Sequence, residues 1–364
     1  MTDQNPRTLL HAFSTFRVGG PQIRFCVLAN RFAAAYRHVI FAMDGCYECR
    51  NRLANGLDVT IADVLAKKPD TLGNRRRFRS YLKTHRPDLL VTYNWGSLEW
   101  AMANWPQLLP HVHIEDGFSP EEANRQLLRR VLTRRLALSR SQVVVPSKRL
   151  ETIALEIWRL PRKCVRYIPN GIDCARFAAK PRARNSDEVV IGTVASLRPE
   201  KNLARLIDLF CQAQARDSAK RMKLVIVGDG AEREALQQTA AGSAYADHIV
   251  FAGATSAPED FLVGMDIFAL TSDTEQMPVS VLEAMAAGLP VLSFNVGDLP
   301  FMVARENVAM VSISLADGDA YIENLLYLAE DADLRARIGA ANRKAAETRF
   351  EERTMAAAYA DLFG

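Results

Sequence analysis

No apolar run in this chain approaches the roughly 18 residues that a membrane span requires. The opening MTDQNPRTLL also lacks the basic-then-apolar order of a secretory leader. Those absences argue against a membrane-spanning or exported protein and set the expected location in the cytoplasm. Cysteine is sparse, six in 364 residues. Cys46 and Cys49 form a C-x-x-C, but no second pair follows at zinc spacing, so free thiols are expected rather than a metal or redox centre. There is no P-loop, no H-E-x-x-H and no G-x-S-x-G. The nearest approach to a dinucleotide fingerprint, GDGAER at 228–233, has Arg233 where the third glycine belongs, which argues against a nicotinamide dehydrogenase. Low-complexity tracts, short-period repeats and acidic metal clusters are missing too.

What is present reads as an ordinary globular chain, 49% hydrophobic and 24% charged, long enough for two domains. Short apolar strand patterns alternate with helical ones in both halves. TLLHAFSTF, RHVIFAMDG, LDVTIADV, DLLVTYN, HVHIEDG and QVVVPS come first, with helices predicted over 120–139 and 147–158. The series restarts with VVIGTVAS, KLVIVGDG, HIVFAG, MDIFALTS and PVLSF, and EERTMAAAYADLF closes the chain as one more helix. Two successive βαβ series imply an α/β protein of two Rossmann-like domains with parallel sheets. The polar segment PRARNSDE (181–188) is the predicted linker, giving domains 1–184 and 185–364. Charge divides the same way. Residues 1–184 carry 31 Lys and Arg against 15 Asp and Glu, a net of +16, and the remainder has a net of −12. So uneven a split suggests that the first half meets an anionic partner.

The stretch SDTEQMPVSVLEAMAAGLPV (272–291) holds two acids, Glu275 and Glu283, in apolar company. A buried carboxylate without a partner costs several kcal/mol, so each needs a use. MDIFALTS reads as a strand, which puts Glu275 in the loop at its carboxyl end, where open parallel sheets bind ligands. Pro278 suits the first turn of a helix that Gly288 and Pro290 end. Free N–H groups near 277–280 would then form an anion site. Glu283, about a turn further in, suits vicinal sugar hydroxyls better than phosphate. The competing reading is structural: Ser280 and Glu283 match an S-x-x-E capping box.

The E-x7-E pair and the EAMAAGLPV around it resemble the retaining GT-B glycosyltransferases of family 4. VGGPQ (18–22), IPNGID (168–173), LRPEKN (197–202), VGDGAE (227–232) and VFAGAT (250–255) fit in the same order. The resemblance implies two Rossmann-like domains facing a central cleft, with the last helix packing back on the first. The donor would be a UDP- or GDP-linked sugar and no metal would be needed. Glu283 would bind the donor ribose, and Glu275 would hold the sugar hydroxyls. Met277, Pro278, Val279 and Ser280 would take the diphosphate. Lys201 would neutralise the departing phosphate, and Gly19 and Gly20 would let the N-terminal backbone approach it. Three departures stand out. Ser196 occupies the position of a family arginine, for which Arg198 could substitute. Phe301 replaces a glutamate of the G-G-x-P-E pattern. The strand that usually ends in a histidine near the reacting sugar here offers His113, Glu115 and Asp116, with Glu115 or Asp116 at that position. EDG could equally be a turn and helix cap.

The segment 124–140 carries Arg125, Arg129, Arg130, Arg134, Arg135 and Arg140 among leucines, and GNRRRFRSYLKTHR (73–86) adds a second basic cluster. An Arg-rich face beside an apolar one has the composition of an interfacial helix. Arg129, Arg130, Arg134 and Arg135 are therefore the predicted surface toward an anionic membrane, on its cytoplasmic face, or toward an acidic acceptor. A lipid-linked or growing polysaccharide is the expected acceptor. Aromatics are not interleaved with these arginines and no nucleic-acid module is recognisable, so no nucleic-acid partner is expected. A nucleotide-sugar epimerase of the same fold is the nearest alternative, a basic nucleic-acid-binding protein a more distant one.

Overall fold

The computed structural model describes residues 6–67, 69–118, 122, 126–178, 188–217 and 221–364. The first sheet comprises β1 (Arg7–Phe13), β2 (Tyr36–Ala42), β3 (Val59–Ile61), β4 (Leu89–Tyr93), β5 (His111–Ile114), β6 (Gln142–Val145) and β7 (Val165–Tyr167), in the order β3-β2-β1-β4-β5-β6-β7. Every neighbouring pair is parallel. The second comprises β8 (Val189–Val194), β9 (Met222–Val227), β10 (Ile249–Gly253), β11 (Ile267–Leu270) and β12 (Val291–Ser293), ordered β10-β9-β8-β11-β12, again parallel throughout. Helices cover parallel sheets on both faces, which is why β4 and β11 are buried at every position and read as unbroken apolar runs. The sequence pattern missed β7, a three-residue strand carrying Arg166.

Each order reverses direction once, between β1 and β4 and between β8 and β11. Crevices outside the carboxyl ends of strands at such a switch point are where doubly wound sheets bind nucleotides. The loops after β1, β4, β8 and β11 are therefore the places to look.

By compactness the chain divides into Met1–Pro169 with Ala356–Gly364, and Asn170–Met355. The boundary thus falls before the predicted 184/185, and 181–187 lie outside the described residues. The reason is local pairing. The Ile172 N–H donates to the Phe350 carbonyl at 2.9 Å and the Glu352 N–H donates back to the Ile172 carbonyl at 2.8 Å, so the NGID end of IPNGID already belongs to the second unit. The closing helix Glu352–Phe363 returns its end to the first. There Arg7 donates to the Phe363 carbonyl at 2.5 Å, Arg166 pairs with Asp361 at 2.6 Å, and Tyr359 and Phe363 are buried.

Candidate donor site at the second switch point

The loops after β8 and β11 are tied together by side chains. Asn202, in the left-handed conformation at φ 45°, caps helix Leu203–Arg216 by accepting from the Arg205 N–H. Asn is among the few residues that adopt this geometry cheaply. Its amide donates to Asp273 at 3.1 Å, its carbonyl accepts from the Thr271 hydroxyl at 3.0 Å, and Arg205 also pairs with Asp273. These contacts bring Lys201 and Glu275 together: Nζ lies 2.6 Å from Oε1, and the Ser272 hydroxyl donates to the same oxygen at 2.7 Å. An ammonium has three donors, so Lys201 keeps two for further oxygens, while Glu275 keeps Oε2. Sequence reasoning named both residues but not their pairing, and it missed Arg205 and Asp273. An asparagine directly before a helical pattern was the available signal.

Below that pair, Met277 is held by Asn170, whose amide donates to its carbonyl at 3.0 Å. Helix Val279–Ala286 follows, with Pro278 as its N-cap residue rather than inside its first turn. Pro278 has no N–H, so the anion-binding donors reduce to Met277, Val279 and Ser280. No side chain caps this helix, and Ser280 lies within it. The capping-box explanation of Glu283 therefore fails. No hydrogen bond among the described residues reaches the Glu283 carboxyl. Burial pushes its pKa up to about 7, partly offset by the nearby Arg176 and helped by Glu259. Arg176 is itself engaged, gripping both oxygens of Glu259 at 2.8 Å and the Ser256 carbonyl at 2.9 Å. Glu283 is thus a half-buried acid that receives no hydrogen bond from the chain, which leaves its oxygens open to outside donors.

Other predicted positions are structural in part. Gly228 has φ 143°, and a Cβ there would meet the Ala195 carbonyl at 1.8 Å; at Gly230 it would meet the Leu197 carbonyl at 2.4 Å. The GDG run is thus required by close packing of the β9 loop on the β8 loop. Arg198 is exposed at the turn leading to Lys201, and Phe301 is 64% exposed.

In the first unit Gly19 is the N-cap residue of helix Gly20–Phe32, directly after the β1 loop, with an extended backbone. At Gly20 an added Cβ would meet open space. The acids after β5 are already engaged. Asp116 is clasped by both Arg24 nitrogens at 2.5 and 2.8 Å, and its N–H donates to Asn94 at 2.7 Å. Glu115 is wholly buried, 3.4 Å from Arg134 Nε and 3.6 Å from His113 Nε2. It turns into the interior because its backbone still pairs with β6, its N–H donating to the Val144 carbonyl at 3.0 Å. Glu115 is not at the loop edge, and His113 is occupied with Thr92 at 2.7 Å.

Two of the four predicted surface arginines are also interior. Arg134 is fully buried, and its guanidinium carbon lies about 5 Å from the rings of Trp95 and Trp158. It donates to both oxygens of Glu122 at 3.0 Å, and Arg130 adds a bond at 3.1 Å. Burial alone would raise the Glu122 carboxyl, but these guanidiniums hold it below its ordinary value. Arg129 and Arg135 are exposed as predicted, and Arg125 lies outside the described residues. Among the described residues no group of three or more His, Cys, Asp and Glu is placed to hold a metal ion, and no helix is long and apolar enough to cross a membrane.

Two successive doubly wound parallel units are the GT-B architecture. Comparison with known proteins agrees. Residues 18–176 match Glycosyltransferase Family 4 and residues 176–345 match Glycosyl transferases group 1, in tandem along the chain. The chain belongs to these GT-B glycosyltransferases. It is 26% identical over 306 residues to a 2-deoxystreptamine N-acetyl-D-glucosaminyltransferase of Streptomyces fradiae, covering 78% of this chain and 68% of that one. A GDP-mannose-dependent alpha-(1-6)-phosphatidylinositol monomannoside mannosyltransferase of Mycobacterium tuberculosis is 29% identical over 223 residues, and there the match spans only 56% of either chain. The fold is that of Anabaena Alr3699/HepE, solved with UDP and glucose, at TM-score 0.80 and 19% identity over 98% of both chains.

Proposed function

We propose that the protein transfers a sugar from a UDP- or GDP-linked donor to a hydroxyl of a lipid-linked or growing polysaccharide, with retention at the anomeric carbon and without a metal ion. The single observation that carries this reading is the Lys201–Glu275 pair at the second switch point, with Glu283 one turn into the helix that follows and receiving no hydrogen bond from the chain. Lys201 supplies positive charge to the departing diphosphate, which a compact ammonium does well. The free N–H groups of Val279 and Ser280 add to it at a helix N-terminus. Glu275 accepts from a sugar hydroxyl through Oε2, and Glu283 accepts from the ribose hydroxyls. In the course implied by the resemblance, the diphosphate leaves from the face the acceptor enters, and its oxygen takes the acceptor proton. The chain's part is then mainly electrostatic stabilisation of the leaving group. The similar 2-deoxystreptamine N-acetyl-D-glucosaminyltransferase and phosphatidylinositol monomannoside mannosyltransferase support an acceptor hydroxyl of this general kind. The exposed arginines of the first unit favour work at the cytoplasmic face of an anionic membrane.

The test is turnover of UDP- and GDP-sugars in the presence of EDTA with an acceptor extract, reading the anomeric configuration of the product by NMR. Retained configuration and EDTA-insensitive transfer are expected. An inverted product, or activity lost to EDTA and restored by magnesium, would overturn the mechanism.

A further inference from the structure

Helix Leu128–Leu138 is reversed relative to an ordinary surface helix. Arg130 and Arg134 face the interior, whereas Leu128, Leu132 and Leu136 are 73%, 58% and 66% exposed. Residues four apart on a helix are neighbours, so these leucines make one ridge. A single exposed leucine needs no explanation, but a contiguous apolar patch marks a contact surface. The ridge is flanked by cations. Arg129 and Arg135 are exposed, and one turn beyond Leu136 the Arg140 guanidinium lies over the ring of Trp105 at 5.3 Å, itself 42% exposed.

We propose that this ridge inserts its three leucines into the headgroup–acyl boundary of an anionic bilayer while Arg129, Arg135 and Arg140 meet lipid phosphates. An apolar edge rimmed by arginine, with tryptophan at its end, matches the layered polarity of that boundary. Charge selects the bilayer over a second copy of the chain. Pairing two such ridges would bring like-charged arginines together on a half already at +16. The inference rests on the membrane-surface part of the proposed function and changes its agent. Leucine insertion, rather than arginine attraction, supplies the binding that survives salt.

The experiment is sedimentation of the full chain with vesicles of phosphatidylcholine and phosphatidylglycerol at about 0.1 and about 0.5 M salt, where screening becomes short-ranged. Three proteins are compared: wild type, the triple variant Leu128→Ser, Leu132→Ser, Leu136→Ser, and the double variant Arg129→Gln, Arg135→Gln. Unchanged melting temperatures and monomer state by sedimentation velocity show that the variants are folded. The wild type should sediment at both salts. The leucine variant should lose partitioning by about tenfold or more, the scale of several buried methylenes, and the arginine variant should weaken only at low salt. If the leucine variant sediments like wild type, the ridge proposal falls while membrane docking stands. If the wild type ignores the vesicles, both fall. A wild-type dimer that the leucine variant dissociates, without vesicle binding, makes the ridge a self-association surface and overturns the proposal.

Discussion

The two units treat their buried acids in opposite ways. In the first, Glu122 accepts three hydrogen bonds from Arg130 and Arg134, Asp116 is clasped by Arg24, and Glu115, whose buried oxygens accept no hydrogen bond, still has the Arg134 charge 3.4 Å away. In the second, Glu283 is half-buried with its nearest cation already committed to Glu259, and its carboxyl is driven toward neutrality. Position near a strand's carboxyl end is therefore not enough to mark a ligand group. What separates the acids is whether the chain supplies its own counter-charge. The first unit's acids face arginines of their own chain; Glu283 has no such partner, and under the proposed function a donor's ribose hydroxyls supply one.

The largest effect that could break this contrast is on stability. Arg134→Leu strips counter-charge from Glu115 and Glu122 together, so it should cost about 3–5 kcal/mol, the scale of breaking a buried ion pair by removing one member. Urea denaturation checks it. A cost under about 1 kcal/mol would mean the arginine cluster is dispensable to the fold. Lys201→Ala should behave in the reverse sense. Its ion pair with Glu275 is partly exposed, so folding should change by less than about 1 kcal/mol. Turnover, in contrast, should fall by roughly 100-fold or more, as for loss of one transition-state charge partner. Equal small effects on both readouts would remove Lys201 from the chemistry.

A smaller effect sharpens the contrast through pH. Because burial raises Glu283 from 4.5 to about 7, the empty fold holds a proton between those values that the unfolded chain releases. This group's contribution to stability is then full below about pH 4.5 and declines as pH rises toward 7, by at most about 1.4 kcal/mol per unit. Melting curves of wild type and Glu283→Gln between pH 5 and 8 read it as their difference. The wild type should lose stability relative to the variant as pH rises. A constant difference would show that Glu283 is solvated like an ordinary acid.

Much of this was legible in the sequence, for identifiable reasons. Eleven of the strands announce themselves as short, largely apolar runs between turn residues, most plainly β4, β5, β11 and β12, which are buried at every position. Glu275 and Glu283 are legible because one follows a strand end and the other sits one turn into a helix beside Pro278; Lys201 was named only through the family resemblance. The basic helix was misread because two sets share helical spacing. Leu128, Leu132 and Leu136 stand four apart, and so do Arg130, Arg134 and Leu138. Hydrophobicity alone points the first set inward. The structure buries the second, because Glu122, Glu115, Trp95 and Trp158 receive the guanidiniums. Those partners come from other elements, and no local pattern shows them. Glu115 was misplaced for the same reason, since its fate depends on Arg134.

The most direct test of the central claim is nucleotide affinity against pH. UDP and GDP are titrated calorimetrically into wild type and Glu283→Gln from about pH 5.5 to 8.5, since ribose hydroxyls favour the carboxylate form of a group that titrates near 7 in the empty protein. Wild-type affinity for one of the two should climb through neutrality with release of a proton, a step that should vanish in the variant along with about tenfold or more of the affinity at pH 8. Equal affinity and an identical pH profile in both proteins would contradict the account.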